Sequence, residues 1–241
     1  MDHVDEWSLL AADWSRYWAP AARPTQLAII EAAGVGAGTT VLDAGSGSGE
    51  FLATLREAGA TVAGCDPAEG MIDIARTLVP DADLRVASAE RLPWPDDAFD
   101  LVTAVNALAF TDADVALAEF ARVGRRVAVA NWAEDDLNDL TVIERALAGD
   151  AFEPSGEGRE AGYLTRLLQR HNFTVDSEGI ADAPMAFADG DDLVRAMTFG
   201  EDDDVRAELA PTVLDAAAAF KQDDGGYLLR NSFRWAVGEP R

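Results

Sequence analysis

The spacing of hydrophobic and polar positions changes period several times along the chain, and each change marks an element. Thr40–Ala44 is a β-branched and apolar run, and over Glu50–Ala58 the apolar positions Leu52, Leu55 and Ala58 return at helical spacing. Thr61–Cys65 is the next apolar run. From Pro67 to Leu78, Met71, Ile74, Ala75 and Leu78 fall at i, i+3, i+4 and i+7, the stripe of a helix lying on a sheet. Leu84–Ala87 predicts a short strand, Phe99–Leu108 a stronger one, and RRVAVANWA from Arg125 a fifth. Between the last two, Asp112 is placed to cap a helix carrying Leu117, Phe120 and Ala121. Repeated strand–helix–strand units of this length predict an α/β fold. Its mostly parallel sheet is doubly wound, wrapped by helices on both faces, with a ligand crevice at the carboxyl ends of the strands.

Past this stretch the pattern changes. Tyr163–His171 reads as a helix and Phe173–Ile180 as a strand, while DDGG at Asp223–Gly226 is a turn signal leading into Tyr227–Val237. The last two strands predict a C-terminal antiparallel hairpin closing one sheet edge. Asp182–Gln222 is acidic, Ala-rich and mostly helical in pattern, an insertion rather than a domain with its own core. Near the start, Trp7, Leu10, Trp14, Tyr17 and Trp18 fall along one side of a helix. No internal repeat appears. The organisation is thus one domain over residues 1–241: N-terminal helices (1–36), a core (37–132), and a C-terminal half (133–241) with a helical insertion at about 182–222.

Composition narrows the partners. With 49% hydrophobic and 26% charged residues, a chain of 241 residues buries roughly 70–75% of its unfolded surface, enough for one large core. The formal charge of −25, from 44 acidic and 19 basic residues, repels phosphate backbones and anionic headgroups alike, which disfavours nucleic acid and membrane partners. Lys221 is the only lysine and Ala is abundant, so the acidic excess reads as background rather than as a statement about a ligand. Cys65, the single cysteine, excludes an intrachain disulfide. MDHVDEWSLL lacks a basic region followed by an apolar core, and no apolar run approaches the ~20 residues of a membrane span. The expectation is a cytoplasmic protein; oligomeric state is not legible.

Gly45-Ser46-Gly47-Ser48-Gly49 sits where the first strand must turn into the first helix. A tight connection needs one or two glycines; three at alternate positions point to a ligand lying against bare backbone. The spacing G-x-G-x-G followed by Glu50 departs from the G-x-G-x-x-G of dinucleotide sites, so a nicotinamide reading is the weaker one. Asp66 follows at the end of the second strand, where a carboxylate can accept from both hydroxyls of a ribose. It can equally cap the next helix, with Pro67 at the first helical position and Glu69 completing a capping box, and the two roles are compatible.

In order, the segments VLDAGSGSGEF, VAGCDPAEGMIDIAR, ASAERLPWPDDAFDLVTAVNALAF and ARVGRRVAVANWA resemble the class I S-adenosylmethionine-dependent methyltransferases, in the broad group similar to ubiquinone/menaquinone-biosynthesis methyltransferases. The likeness covers roughly Trp14 to Trp132. It implies a Rossmann-like, seven-stranded methyltransferase fold with N-terminal lid helices and S-adenosylmethionine as cofactor. It further implies that Asp43, Gly45, Ser46 and Gly47 surround the methionyl portion and that Asp66, beside Pro67, holds the ribose. Met71 would lie near the adenine, Ser88, Ala89 and Glu90 would border it, and Asn106 would face the sulfonium. Two departures are visible: Ser88 stands where the family often has an acidic residue, and Gly124 stands alone where a Pro-Gly-Gly turn is usual.

The acceptor side is less marked. The N-terminal stripe is packing or part of a site, and the resemblance implies that it closes over donor and acceptor, with Tyr17, Trp18, Phe110 and Trp132 lining an apolar acceptor pocket. Trp94 and Trp235 read as core. No catalytic residue stands out: His3 is near a terminus and His171 ends a surface helix, so both read as solvated. Glu134–Asp139, EDDLND, reads as a solvated charge run rather than a metal site. A base is not required where in-line alignment at about 3–3.5 Å supplies ~7–11 kcal/mol of the barrier. The implied activity is methyl transfer to a small apolar or aromatic metabolite; the alternative is a donor-binding protein that transfers no methyl, using the cofactor for cyclisation or regulation.

Overall fold

The computed structural model describes residues 3–241, with side chains from Glu6 onward, so the reading of His3 as solvated lies outside the described side chains. Helix α1 (His3–Asp13) runs into a π-helical turn, Trp14–Trp18, where the Ala19 amide bonds the Trp14 carbonyl. A 3-10 turn at Ala19–Ala22 leads into α2 (Arg23–Ala33), which Gly34 ends at φ +67°. Then β1 (Thr40–Ala44), α3 (Glu50–Glu57), β2 (Thr61–Asp66), α4 (Glu69–Leu78), β3 (Asp83–Val86), β4 (Leu101–Val105), α5 (Ala113–Val123) and β5 (Val127–Trp132) alternate as the pattern requires. Asp112 caps α5, its carboxylate accepting from the Asp114 and Val115 amides. The second half adds α6 (Leu140–Ala148), α7 (Tyr163–Arg170), β6 (Phe173–Asp182), β7 (Met185–Phe187), α8 (Gly190–Met197), α9 (Asp203–Ala216), β8 (Tyr227–Leu229) and β9 (Ser232–Pro240).

Seven strands form one sheet in the order β3-β2-β1-β4-β5-β9-β6. The first five are parallel, and β9 enters antiparallel between β5 and β6, closing the edge as the C-terminal pattern predicts. Burial alternates by face. Val41, Leu101, Ala128 and Ala130 belong to the core under α2 and α3, with Ile29, Leu52 and Leu55. Leu42, Val102, Val127 and Val129 belong to the opposite core, with Leu117 and Phe120 of α5 and Leu164 and Leu167 of α7. The insertion has no core of its own: Leu193, Val194 and Val213 join the α2–α3 face.

Several expectations shift. Helix α4 begins at Glu69 rather than Pro67, because Asp66 Oδ1 accepts from the Ala68 amide at 2.9 Å while Ala68 is still extended; the capping box does not form. Strand β4 stops at Val105, since Asn106 turns left-handed at φ +56° and a 3-10 turn follows at Leu108–Phe110. The Tyr227–Val237 run breaks at Arg230–Asn231, whose polar groups bond the 138–140 loop: the Arg230 amide to Asp139 Oδ2 at 2.7 Å, and Asn231 Oδ1 to the Leu140 amide at 3.0 Å. The detached β8 pairs with β7 in a separate two-stranded sheet. Trp94 is buried, but Trp235 is only half-buried, lying across from Gly179 of β6. Of the segment 1–36, α2 packs on the sheet with Ile29 fully buried, and Gln26 is the one α2 residue that lines the first cavity among the described residues.

Candidate functional site

The strand order reverses between β1 and β4, which opens a crevice at their carboxyl ends. Two loops meet there. The amides of Gly45 and Ser46 both donate to the Cys65 carbonyl at 2.8 Å, tying the first loop to the end of β2. A Cβ on Gly45, at φ +75°, would fall 2.4 Å from that of Ala107 in the loop after β4, so only glycine allows this approach. Gly47, at φ +51°, is open: a Cβ there would meet only Trp14 Nε1 within 4 Å, at 3.4 Å.

Beneath these loops lies a cavity of about 320 Å³. Every expected donor residue lines it except Glu90, whose Oε1 instead accepts from the Asp112 amide at 2.8 Å and so supports the start of α5. Asp66 spans the crevice floor: Oδ2 accepts from the Gly47 amide at 3.0 Å and Oδ1 from Ala68. Each oxygen keeps lone-pair capacity for a further donor, so the residue braces the loop and remains able to bind a ligand. Burial raises the Asp66 pKa, against those two amides. Asp43 is fully buried with Oδ1 2.6 Å from the Thr103 hydroxyl, and burial, with the charges of Asp66 and Glu50 adding, pushes it up to about 7. No Arg or Lys lines this cavity among the described residues. An acidic site without basic side chains is costly for a pyrophosphate and favourable for a cation.

A second cavity of about 470 Å³ shares with the first a wall of Trp7, Trp14, Trp18, Asn106, Phe110 and Trp132. Trp7 meets Trp14 edge-on at 5.4 Å, Trp14 lies parallel to Trp18 at 6.3 Å, and Trp18 meets Trp132 edge-on at 6.4 Å. Phe199, from the loop after α8, closes the cluster. The far end is polar, with Asn131, Glu144, Ser155 and Arg159. Trp18, Phe110 and Trp132 line both cavities. Tyr17 lines neither cavity: its hydroxyl points to Asp192 of α8 at 3.1 Å, beside the Arg16–Asp192 ion pair at 2.9 Å. It joins the N-terminal segment to α8, as Trp18 Nε1 does through the Ala196 carbonyl at 3.1 Å.

Trp7 and Trp14 belong to the stripe seen in the sequence, yet nothing local marks them as cavity walls. Phe199, Glu144 and Arg159 lie outside every motif, and only the packing of α6, α8 and the 155–159 loop brings them in. His171 is not free in solvent; Nε2 lies 2.8 Å from Asp114 Oδ1 and joins α7 to α5. The acidic run after β5 ties the loop to its neighbours: Glu134 makes a bidentate pair with Arg234 at 2.7 Å, Asp135 accepts from the Ser155 amide at 3.0 Å, and Asp139 holds Arg230.

The fold and the crevice define a class I methyltransferase fold. Residues 42–129 match the model of a methyltransferase domain family. Among curated relatives, a demethylmenaquinone methyltransferase of Beutenbergia cavernae is 36% identical over 109 residues, 44% of this chain and 45% of that protein. An uncharacterized methyltransferase of Mycobacterium tuberculosis is 35% identical over 85 residues, 35% of each chain. The chain thus spans about a third to half the length of these relatives. A crystal structure of a putative methyltransferase from Bacillus halodurans superposes with a TM-score of 0.63 at 14% identity, over 90% of this chain and 99% of that one. No helix among the described residues is long and apolar enough to cross a membrane.

Proposed function

We propose that the chain transfers a methyl group from S-adenosylmethionine to a small, largely apolar or aromatic metabolite. The observation that carries this reading is the pairing of the two cavities. One is acidic, free of basic side chains and roofed by bare backbone, which suits a cationic donor; the other is walled by aromatic rings; and they meet at Asn106 and the tryptophans. Asp66 would hold the ribose hydroxyls, and Gly45–Gly47 with Asp43 the amino-acid end. Met71, Ser88 and Ala89 would border the adenine. When bound, the donor supplies a methyl already activated on sulfur. The protein's own part is to position and to exclude water: the shared wall aims the acceptor at the donor cavity, and the latched N-terminal segment covers both. The chain's charge of −25 argues against nucleic acid and anionic membrane partners.

Thermal melting tests the donor. S-adenosylhomocysteine should raise Tm and NAD should not; equal stabilisation by NAD would sink the reading. Incubation with methyl-labelled donor and a metabolite extract tests the transfer, and tight donor binding without labelled product would favour a non-transferring use of the cofactor.

A further inference from the structure

The polar end of the second cavity offers more acceptors than free cations. Glu144 lines it. Arg159, the one basic side chain there, is paired with two carboxylates, 3.5 Å from Asp135, which does not line the cavity, and 3.9 Å from Glu144, and its Nη1 makes no hydrogen bond among the described residues. Asn131 is 7% exposed, and its Nδ2 faces the Gly158 carbonyl at 3.4 Å. A carbonyl can only accept, which fixes the amide's orientation and leaves Oδ1 as its open valence; Oδ1 has no hydrogen-bond partner among the described residues. Asn131, Gly158, Arg159 and Glu144 form one contiguous patch. The cavity is also lined by several indole rings, whose faces carry a negative quadrupole. A lining carboxylate, an unpartnered buried acceptor and an aromatic wall all suit a cationic ligand.

We propose that this patch seats a protonated amine, so that the acceptor is a small molecule with an aromatic or alkyl body and an ammonium group bound by Glu144 and Asn131. An ammonium has no lone pair, so the atom that receives the methyl is a different group, carried on the body and held against the tryptophan wall beside the donor cavity. This rests on the methyl-transfer reading, and the test separates the two. Calorimetric titration with S-adenosylhomocysteine alone reads the donor site. Titration of the saturated protein with tryptamine and with indole-3-propionate, which share a body and differ in charge, reads the patch. Tryptamine should bind at least about tenfold tighter than indole-3-propionate, and Glu144→Gln should weaken tryptamine by about tenfold or more while leaving S-adenosylhomocysteine affinity at the wild-type value, as expected for loss of a charge-assisted bond. Arg159→Gln supplies a second variant and should leave tryptamine affinity unchanged or tighter. Stronger binding of indole-3-propionate, its loss in Arg159→Gln, unchanged tryptamine affinity in Glu144→Gln, or binding of neither probe would overturn the proposal.

Discussion

The two cavities share a wall but are made from different kinds of chain. The first sets short loops at the ends of β1, β2 and β4, with their backbone amides, glycines and two buried aspartates, against the shared aromatic wall and side chains such as Phe51 and Met71. The second draws on α1, the π turn, the loop after β4, the end of β5, α6, the 155–159 loop and Phe199. Backbone geometry tolerates few alternatives, because a Cβ at Gly45 collides with Ala107. A wall of side chains from distant segments can be rebuilt residue by residue. On the function proposed above, the first part would recognise a fixed donor and the second would choose a variable acceptor.

Four substitutions break or sharpen this contrast. The largest effect belongs to Asp43. Its pKa is about 7 in the folded chain against 3.8 for the free side chain, so the stability it contributes as a protonated group is complete below about pH 4 and lost as pH rises through 7. Asp43→Asn, which can still accept from Thr103, should be more stable than wild type at pH 8, by up to about 4 kcal/mol, and nearly equal at pH 4. Urea unfolding across that range decides it, and parallel pH profiles would mean that Asp43 is not strained by its burial.

Gly47→Val comes next. The residue stands at φ +51° with open space beyond it, so valine adds backbone strain of roughly 1–2 kcal/mol and a branched side chain in the donor cavity. Affinity for S-adenosylhomocysteine should fall about a hundredfold or more, ~2.7 kcal/mol, with the fold retained by circular dichroism. Normal binding would reduce the loop to a turn.

Asp66→Asn is smaller and moves two readouts together. Both carboxylate oxygens accept backbone amides, and asparagine must set its NH₂ against one of them. We expect affinity weaker by about tenfold and, for a loss of ~1 kcal/mol of stability, Tm lower by ~2–4 °C. A variant that loses affinity with Tm unchanged would show that the brace to Gly47 carries no weight. Tyr17→Phe should do least: the hydroxyl only bonds Asp192 near the surface, so stability should change by about 0.5–1 kcal/mol and donor affinity not at all. A large loss of donor binding would return Tyr17 to the site.

The repeating strand–helix period determined the parallel sheet, because strands buried on both faces must be nearly continuous apolar runs and their helices must carry one apolar stripe. The same local logic picked out residues of the first cavity: the glycine loop and Asp66 lie within one strand–helix–strand unit, and the backbone chemistry that marks them fits in a short window. Asp66 nonetheless needed the tertiary structure, which shows one carboxylate bracing the loop and the turn before α4 at once. Glu90, Tyr17 and the break at Arg230–Asn231 were decided by partners 22, 175 and 91 residues away. Phe199, Glu144 and Arg159 come together in the second cavity only because the loop after α8, α6 and the 155–159 loop meet there. Side-chain walls assembled from separate segments leave no period and no spacing in the sequence, since what fixes them is the summed packing of the whole core.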